Sequence, residues 1–237
     1  IAVGGEVTFD GRVGVSRMQL SHLKKYWPVG FGKVARRWVL GNMQKGHAEN
    51  ARASFSIRVP DTKNADIAVD SFSGKVRLRD LTIRYNENFP TLKKVEATAV
   101  FSKNRFVANI SSGVLKDLKI VSGVVKLFNL DTDKETADIR ATVSGPLRTA
   151  LTVANNKPLR LVSKFGVDAT TVKGWSNTDL KFSFPLFASL KLDHIEVQAQ
   201  SKIINAVLPQ TPLEKPIESG NFDLAINSKG LSLSGDA

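Results

Sequence analysis

An alternation of apolar and polar residues with a period of two recurs along most of this chain, and it constrains the fold more than any other feature. Ala51, Ala53, Phe55, Ile57 and Val59 alternate with Arg52, Ser54, Ser56 and Arg58. Successive side chains of a strand point to opposite faces, so such a run has one apolar face and one wet face. The pattern returns at Val76 and Leu78, at Val95, Ala97, Ala99 and Phe101, and at Phe106, Ala108 and Ile110. It continues at Ala137, Ile139, Ala141 and Val143 and at Leu180, Phe182 and Phe184. Its clearest form is Ile195, Val197, Ala199, Ser201 and Ile203 against Glu196, Gln198, Gln200 and Lys202. At least ten strands follow one another, joined by short polar links such as Lys103-Asn104 and Ser228-Lys229-Gly230. Strict one-face alternation belongs to antiparallel sheets, so the expected fold is mainly β, an antiparallel meander.

Punctuation within the pattern gives finer expectations. Val3, Val7, Phe9, Val13 and Val15, with Gly4-Gly5 and Asp10-Gly11 as turns, read as one or two strands of a hairpin. Leu81, Ile83 and Tyr85 reverse the phase set by Val76 and Leu78, which calls for a bulge or turn near Asp80. Three Ser-Gly steps, at Ser73-Gly74, Ser112-Gly113 and Ser219-Gly220, read as turns that each open a new strand. Ser122-Gly123 reads in the same way.

Residues 16–46 break the alternation and read as a helical insertion. Ser16 with Gln19 has the spacing of a capping box, Leu20, Leu23 and Trp27 follow at helical spacing, and Pro28 ends the element. Phe31, Val34, Ala35, Trp38, Val39 and Met43 then define a second amphipathic helix, with Gly46 placed as its C-terminal stop. Leu20, Leu23, Trp27, Val34, Trp38 and Val39 are expected to bury against the sheet. A short helical insertion is expected within 146–166, on Leu147, Ala150, Leu151 and Val153.

Charge narrows the class of partner. The net charge is +12, and residues 17–58 hold Arg17, Lys24, Lys25, Lys33, Arg36, Arg37, Lys45, Arg52 and Arg58 against Glu49 as the one acid. A cationic patch fits phospholipid head groups, nucleic acid or an acidic protein, and equally a solvated face with no partner. With 42% apolar and 24% charged residues the chain is not intrinsically disordered. No apolar run approaches the ~18 residues of a membrane-spanning helix. Absence of cysteine removes disulfides, cysteine nucleophiles and thiolate metal sites. Both ends look cut, so the chain is expected to be an internal segment of a larger exported or membrane-associated protein.

Catalytic and metal-binding patterns are missing. His22, His47 and His194 have no ligand-spaced partners. Asp131-Thr132-Asp133-Lys134-Glu135 lacks the glycine and distal glutamate of a calcium loop. Asp193 and His194 would point to opposite faces of a strand. Gly30-Phe31-Gly32-Lys33-Val34-Ala35 matches a dinucleotide fingerprint formally, but no buried strand precedes it and no acid follows at the required distance. The expectation is a protein with no catalytic residue, no metal, no cofactor and no nucleic-acid partner.

Tyr26-Trp27-Pro28, Ala35-Arg36-Arg37-Trp38-Val39-Leu40, Asn42, Gly46 and Asn50-Ala51 form a distinctive passage. Phe72-Ser-Gly-Lys-Val-Arg-Leu-Arg-Asp-Leu-Thr-Ile-Arg-Tyr85, Ile110-Ser-Ser-Gly113, Val143-Ser-Gly-Pro-Leu147, Phe184-Pro-Leu186, Leu190-Lys-Leu192 and Leu231-Ser-Leu-Ser-Gly235 follow in order. In this ordered set the chain resembles the YhdP-type branch of the AsmA-like proteins, relatives of TamB. The resemblance implies a long curved antiparallel sheet, a taco-like β-groove, with residues 1–237 as one elongated segment of it. It also implies a periplasmic location in a protein anchored to the inner membrane, with phospholipid as cargo and membrane contact through parts outside this segment.

On that reading the groove lining is Phe55, Ile57, Val76, Leu78, Ala97 and Ala99, continued by Ile139, Ala141, Phe182, Phe184, Val197 and Ala199. Lys33, Arg36 and Arg37 are the candidate contacts to anionic lipid. Periodicity alone leaves a second fold open, a structural or interaction β-sandwich with a dry core.

Overall fold

The computed structural model describes residues 7–27, 33–59, 68–157, 160, 162, 168–186, 194–209, 216–228 and 230–236. The alternating runs become eleven strands. They are β1 (Val7–Gln19), β2 (Met43–Val59), β3 (Ala68–Ile83), β4 (Leu92–Ser102), β5 (Arg105–Leu115) and β6 (Leu118–Phe128), followed by β7 (Thr136–Pro146), β8 (Lys173–Pro185), β9 (Glu196–Leu208), β10 (Ile217–Asn227) and β11 (Gly230–Asp236). All join one sheet in sequence order, each antiparallel to its neighbours. β1 and β11 are the two edges, so the curved sheet is open.

A meander places its connections alternately at the two ends of the sheet. The connections after β1 and β7 therefore lie at the same end. Between β1 and β2 run a 3-10 turn (Leu20–His22), α1 (Leu23–Tyr26) and α2 (Lys33–Asn42). Between β7 and β8 lies α3 (Leu147–Ala154). All these helices thus share one end, called here the helical end. α1 stops at Trp27, whose backbone is extended, as expected of a residue before proline.

The strands are creased near that same end. Asn50 in β2, Asp80 in β3, Lys94 in β4 and Asn205 in β9 adopt positive φ within their strands. Each lies at an irregularity that reverses the alternation: Ala48 gives way to Ala51, Leu78 to Leu81, and Ile203 to Ala206. β6 makes the same change between Ile120 and Gly123. A bulge bends its strand and increases the local twist, so bulges repeated across neighbouring strands curve the sheet. The phase reversal expected near Asp80 is one member of this line. Glu96 on β4 holds that bulge from the side: Asp80 N–H donates to Oε1 at 2.9 Å and Arg79 donates to Oε2 at 2.7 Å.

Packing is densest beside the crease. Leu81 and Val95 are 1% and 2% exposed, and Leu20 from the 3-10 turn packs with them and with Ala48, Leu78, Ala97, Ala99 and Ala108. A second cluster joins Leu147 of α3 to Val172, Ile203 and Ala206. Each of the two helical insertions thus anchors through its first residue, Leu20 or Leu147.

Several local expectations are corrected. Asp10-Gly11 is no turn: β1 runs straight through it, and a Cβ on Gly11 would fall inside the Phe55 ring of β2. Ser16 lies within β1, so Ser16 and Gln19 form no capping box. Gly46 does not stop α2; it sits inside β2 with φ +126°, where a Cβ would come within 2.6 Å of Leu81. Gly74, Gly113, Gly123 and Gly220 are interior to β3, β5, β6 and β10. Of the helix residues expected to bury, Leu20 does, Leu23 and Val39 are half-buried, Trp27 is half-buried and Trp38 is 44% exposed. The Val34 side chain lies outside what the structure describes. So do Gly4-Gly5, Pro28 and Gly30-Phe31-Gly32.

Candidate functional site: a continuous apolar face

Residues paired across an antiparallel ladder share a face, so the register traces that face strand by strand. Val76 pairs with Ala99, Ala99 with Ala108, Ala108 with Val125, Val125 with Ile139, Ile139 with Phe182 and Phe182 with Val197. The adjacent rung runs from Leu78 through Ala97, Ile110, Gly123, Ala141 and Leu180 to Ala199. Phe184 continues a third rung from Ala137, Leu127 and Phe106. Phe55 faces Phe72 of β3, and Ile57 lies two residues along on the same side. Every residue named from the sequence as groove lining therefore sits on one face of one sheet. β5 and β6, left out of that set, complete it with Phe106, Ala108, Ile110, Val125 and Leu127. Their alternation was visible in sequence; only the register shows that they fill the middle of the ladder.

This face is only partly covered. Leu78, Ala97, Ala99 and Ala199 are buried, while Phe55, Ile57, Val76, Ile139, Ala141, Phe182, Phe184 and Val197 are half-buried. A dry sandwich would bury the whole row between two layers ~10 Å apart. The chain exposes 15622 Å², whereas a compact monomer of 25.9 kDa exposes roughly 10,500 Å². A depression of about 540 Å³ across β6–β9 belongs to the opposite face, since Ser122, Val124, Arg140, Thr142, Asp179, Lys181, Gln198 and Gln200, which make up most of its lining, have the parity of the polar rungs.

The other face is polar and cross-linked by charge. Arg79 bridges Glu49 at 3.5 Å and Glu96 at 2.7 Å, Arg17 approaches Glu49 at 3.8 Å, and Arg58 meets Asp70 at 2.6 Å. Partial burial pushes the Glu96 carboxyl up, but the Asp80 N–H and Arg79 outweigh it and hold its pKa below the ordinary value. Thr142 and Ser144 of β7 donate across to Asp179 and Asn177 of β8, each at 2.6 Å. Trp175 donates to the Ser144 hydroxyl at 2.9 Å.

The candidate cations divide. Arg36 spends its guanidinium on the carbonyls of Trp27 at 3.1 Å and Lys24 at 3.5 Å, tying α2 to α1. Arg37 is exposed. Lys33 opens α2, and its side chain lies outside what the structure describes. Among the described residues no group of acids or histidines is placed to hold a metal, and no helix is long and apolar enough to cross a membrane.

Comparison with known proteins gives one family. A family model described as YhdP protein matches residues 5–235, nearly the whole chain, and the chain belongs to that family. No curated protein and no solved structure matches.

Proposed function

From its membership of the YhdP family, an AsmA-like lipid-transport family, we propose that this chain is a non-catalytic conduit segment. It shields phospholipid acyl chains from water during transport between the inner and outer membranes. The continuous, half-covered apolar face is the observation that supports this reading most directly. Leu78, Ala97, Ala99 and Ala199 form its floor; Phe55, Ile57, Val76, Ile139, Ala141, Phe182, Phe184 and Val197 meet the lipid. Each methylene taken out of water contributes about 0.8 kcal/mol, and no bond is made or broken, so the mechanism uses no catalytic residue, cofactor or metal. Phospholipid is the partner, and nucleic acid is not. The segment works in the periplasm within a protein anchored to the inner membrane, and membrane contact belongs to other parts of that protein. Lys33 and Arg37 meet anionic lipid, with Arg36 holding their helix in place.

Native mass spectrometry of the purified chain tests the reading. Bound phospholipid is expected, retained by the native chain and released on unfolding. A folded chain that takes up no phospholipid from mixed micelles would leave the dry scaffold as the better account.

A further inference from the structure

The two ends of the sheet differ in chemistry. The connections at the helical end hold Lys24, Lys25, Arg36 and Arg37 after β1, Arg84 after β3, Lys116 after β5, and Arg148, Lys157 and Arg160 after β7. The described acids there are Glu87, Asp117 and Asp168. At the opposite end the described connections hold Lys103 and Lys134 against Asp131, Asp133 and Glu135. Among the described residues, Lys24, Lys25, Arg37, Arg84, Lys116 and Lys157 form no ion pair; the ion pairs lie on the sheet itself.

Aromatic residues follow the same division. All three tryptophans and both tyrosines of the chain lie at the helical end: Tyr26 and Trp27 at α1, Trp38 in α2, Tyr85 after β3 and Trp175 at the start of β8. Four of them expose much of their surface: Tyr26 70%, Trp38 44%, Trp175 43% and Tyr85 37%. The described phenylalanines, in contrast, lie along the strands, as Phe55, Phe72, Phe101, Phe106, Phe182 and Phe184 do, except Phe89, which packs beside Tyr85. Tryptophan and tyrosine join an apolar ring to a polar tip and are enriched where hydrocarbon gives way to head groups. Lysine and arginine beside them are complementary to phosphate.

We infer that the apolar face is polarised across its width, with phosphate-bearing head groups lying along the helical end and acyl chains extending toward the opposite end. This rests on the conduit reading and adds to it an orientation of the cargo and a preference for anionic head groups. The first helices are then part of the head-group rim, and the opposite end, whose described aromatics are phenylalanines such as Phe101, Phe106, Phe128 and Phe184 and whose described connections carry no excess of cations, is the margin over the chain tails.

Trp175 lies on the polar face of that end, against Ser144, so in a Trp175→Phe background the remaining tryptophans, Trp27 and Trp38, make intrinsic fluorescence a reporter of the helical rim. The chain is loaded with phosphatidylglycerol brominated either beside the glycerol backbone or at the chain ends, and native mass spectrometry records how much of each is bound. Stronger quenching by the backbone-proximal bromines at equal occupancy is expected. Equal or stronger quenching by the terminal bromines at equal occupancy overturns the orientation and leaves the conduit reading standing. Absence of bound lipid overturns both.

A second arm measures phosphatidylglycerol affinity after neutralising three rim cations, Lys24→Gln, Lys25→Gln and Arg37→Gln, with Lys103→Gln and Lys134→Gln at the opposite end as control. Each cation near an anionic lipid surface is worth roughly five-fold in affinity, so the rim triple is expected to weaken binding by up to about a hundred-fold at low salt. The control is expected to stay within two-fold or so. Equal losses at the two ends, or none at either, overturn the proposal; circular dichroism verifies that each variant is folded.

Discussion

An aspartate placed on the apolar face tests whether that face is open, because two positions on the same sheet give opposite answers. Ala99 is 1% exposed, paired between Val76 and Ala108 in the packed cluster beside the crease. Ala141 is half-buried, on the rung between Gly123 and Leu180. Aspartate is a poor strand former at either site, a cost of up to about 1 kcal/mol that cancels in the comparison. At position 99 the carboxylate has no water and no cation within the cluster, and an uncompensated buried charge costs roughly 3–5 kcal/mol. At position 141 water reaches the new carboxylate, so the additional cost is about 1 kcal/mol or less. For a chain of this size each kcal/mol moves the melting temperature by about 2–4 °C. Ala99→Asp is therefore expected to melt roughly 6–20 °C lower, or to fail to fold, whereas Ala141→Asp stays within about 4 °C after the strand penalty is removed. Circular dichroism melts of the lipid-free chains measure both, and native mass spectrometry should show Ala141→Asp folded but depleted of phospholipid. An equal collapse of the two variants would mean that the face is closed over at position 141 and would refute the open-groove reasoning.

Three further outcomes follow from particular contacts. Gly46→Ala combines an unfavourable positive φ with a Cβ pressed against Leu81 and the Arg79 carbonyl, so it should lose about 2 kcal/mol or more in a denaturant melt, and an unchanged midpoint would contradict that geometry. Glu96→Gln should cost roughly 0.5–1 kcal/mol at neutral pH. Because the folded-state pKa of Glu96 lies below its unfolded value, its contribution is fully present above the unfolded pKa and fades as pH falls through the folded one; the gap between wild type and Glu96→Gln should close in acid, and a gap constant with pH would refute the clamp. Leu20→Ala, at 6% exposed, should cost about 2–3 kcal/mol by opening a cavity beside Leu81 and Val95, measured by the shift in melting midpoint.

The sequence by itself determined the strands and which residues share a face. Side-chain direction in a strand depends only on parity, so Phe182 and Phe184, or Val197 and Ala199, are assigned to one side without knowledge of their neighbours. Parity also exposed the bulge at Asp80, because Leu78 and Leu81 cannot both face inward without one. Charge and aromatic content were legible too, but as a list: that Tyr26, Tyr85 and Trp175 share one end depends on the strand order.

Glycine was misread for a related reason. Gly11 and Gly74 look like turn residues locally, yet each lies mid-strand, where the ring of Phe55 or Phe101 from the next strand occupies the space a side chain would take. Whether the apolar face would be sealed or left accessible was also beyond the alternation, since a sandwich and a groove require the same period of two. Tertiary structure decided it: the bulge line curves one sheet instead of stacking two, and the helical segments cover only the part near their own end.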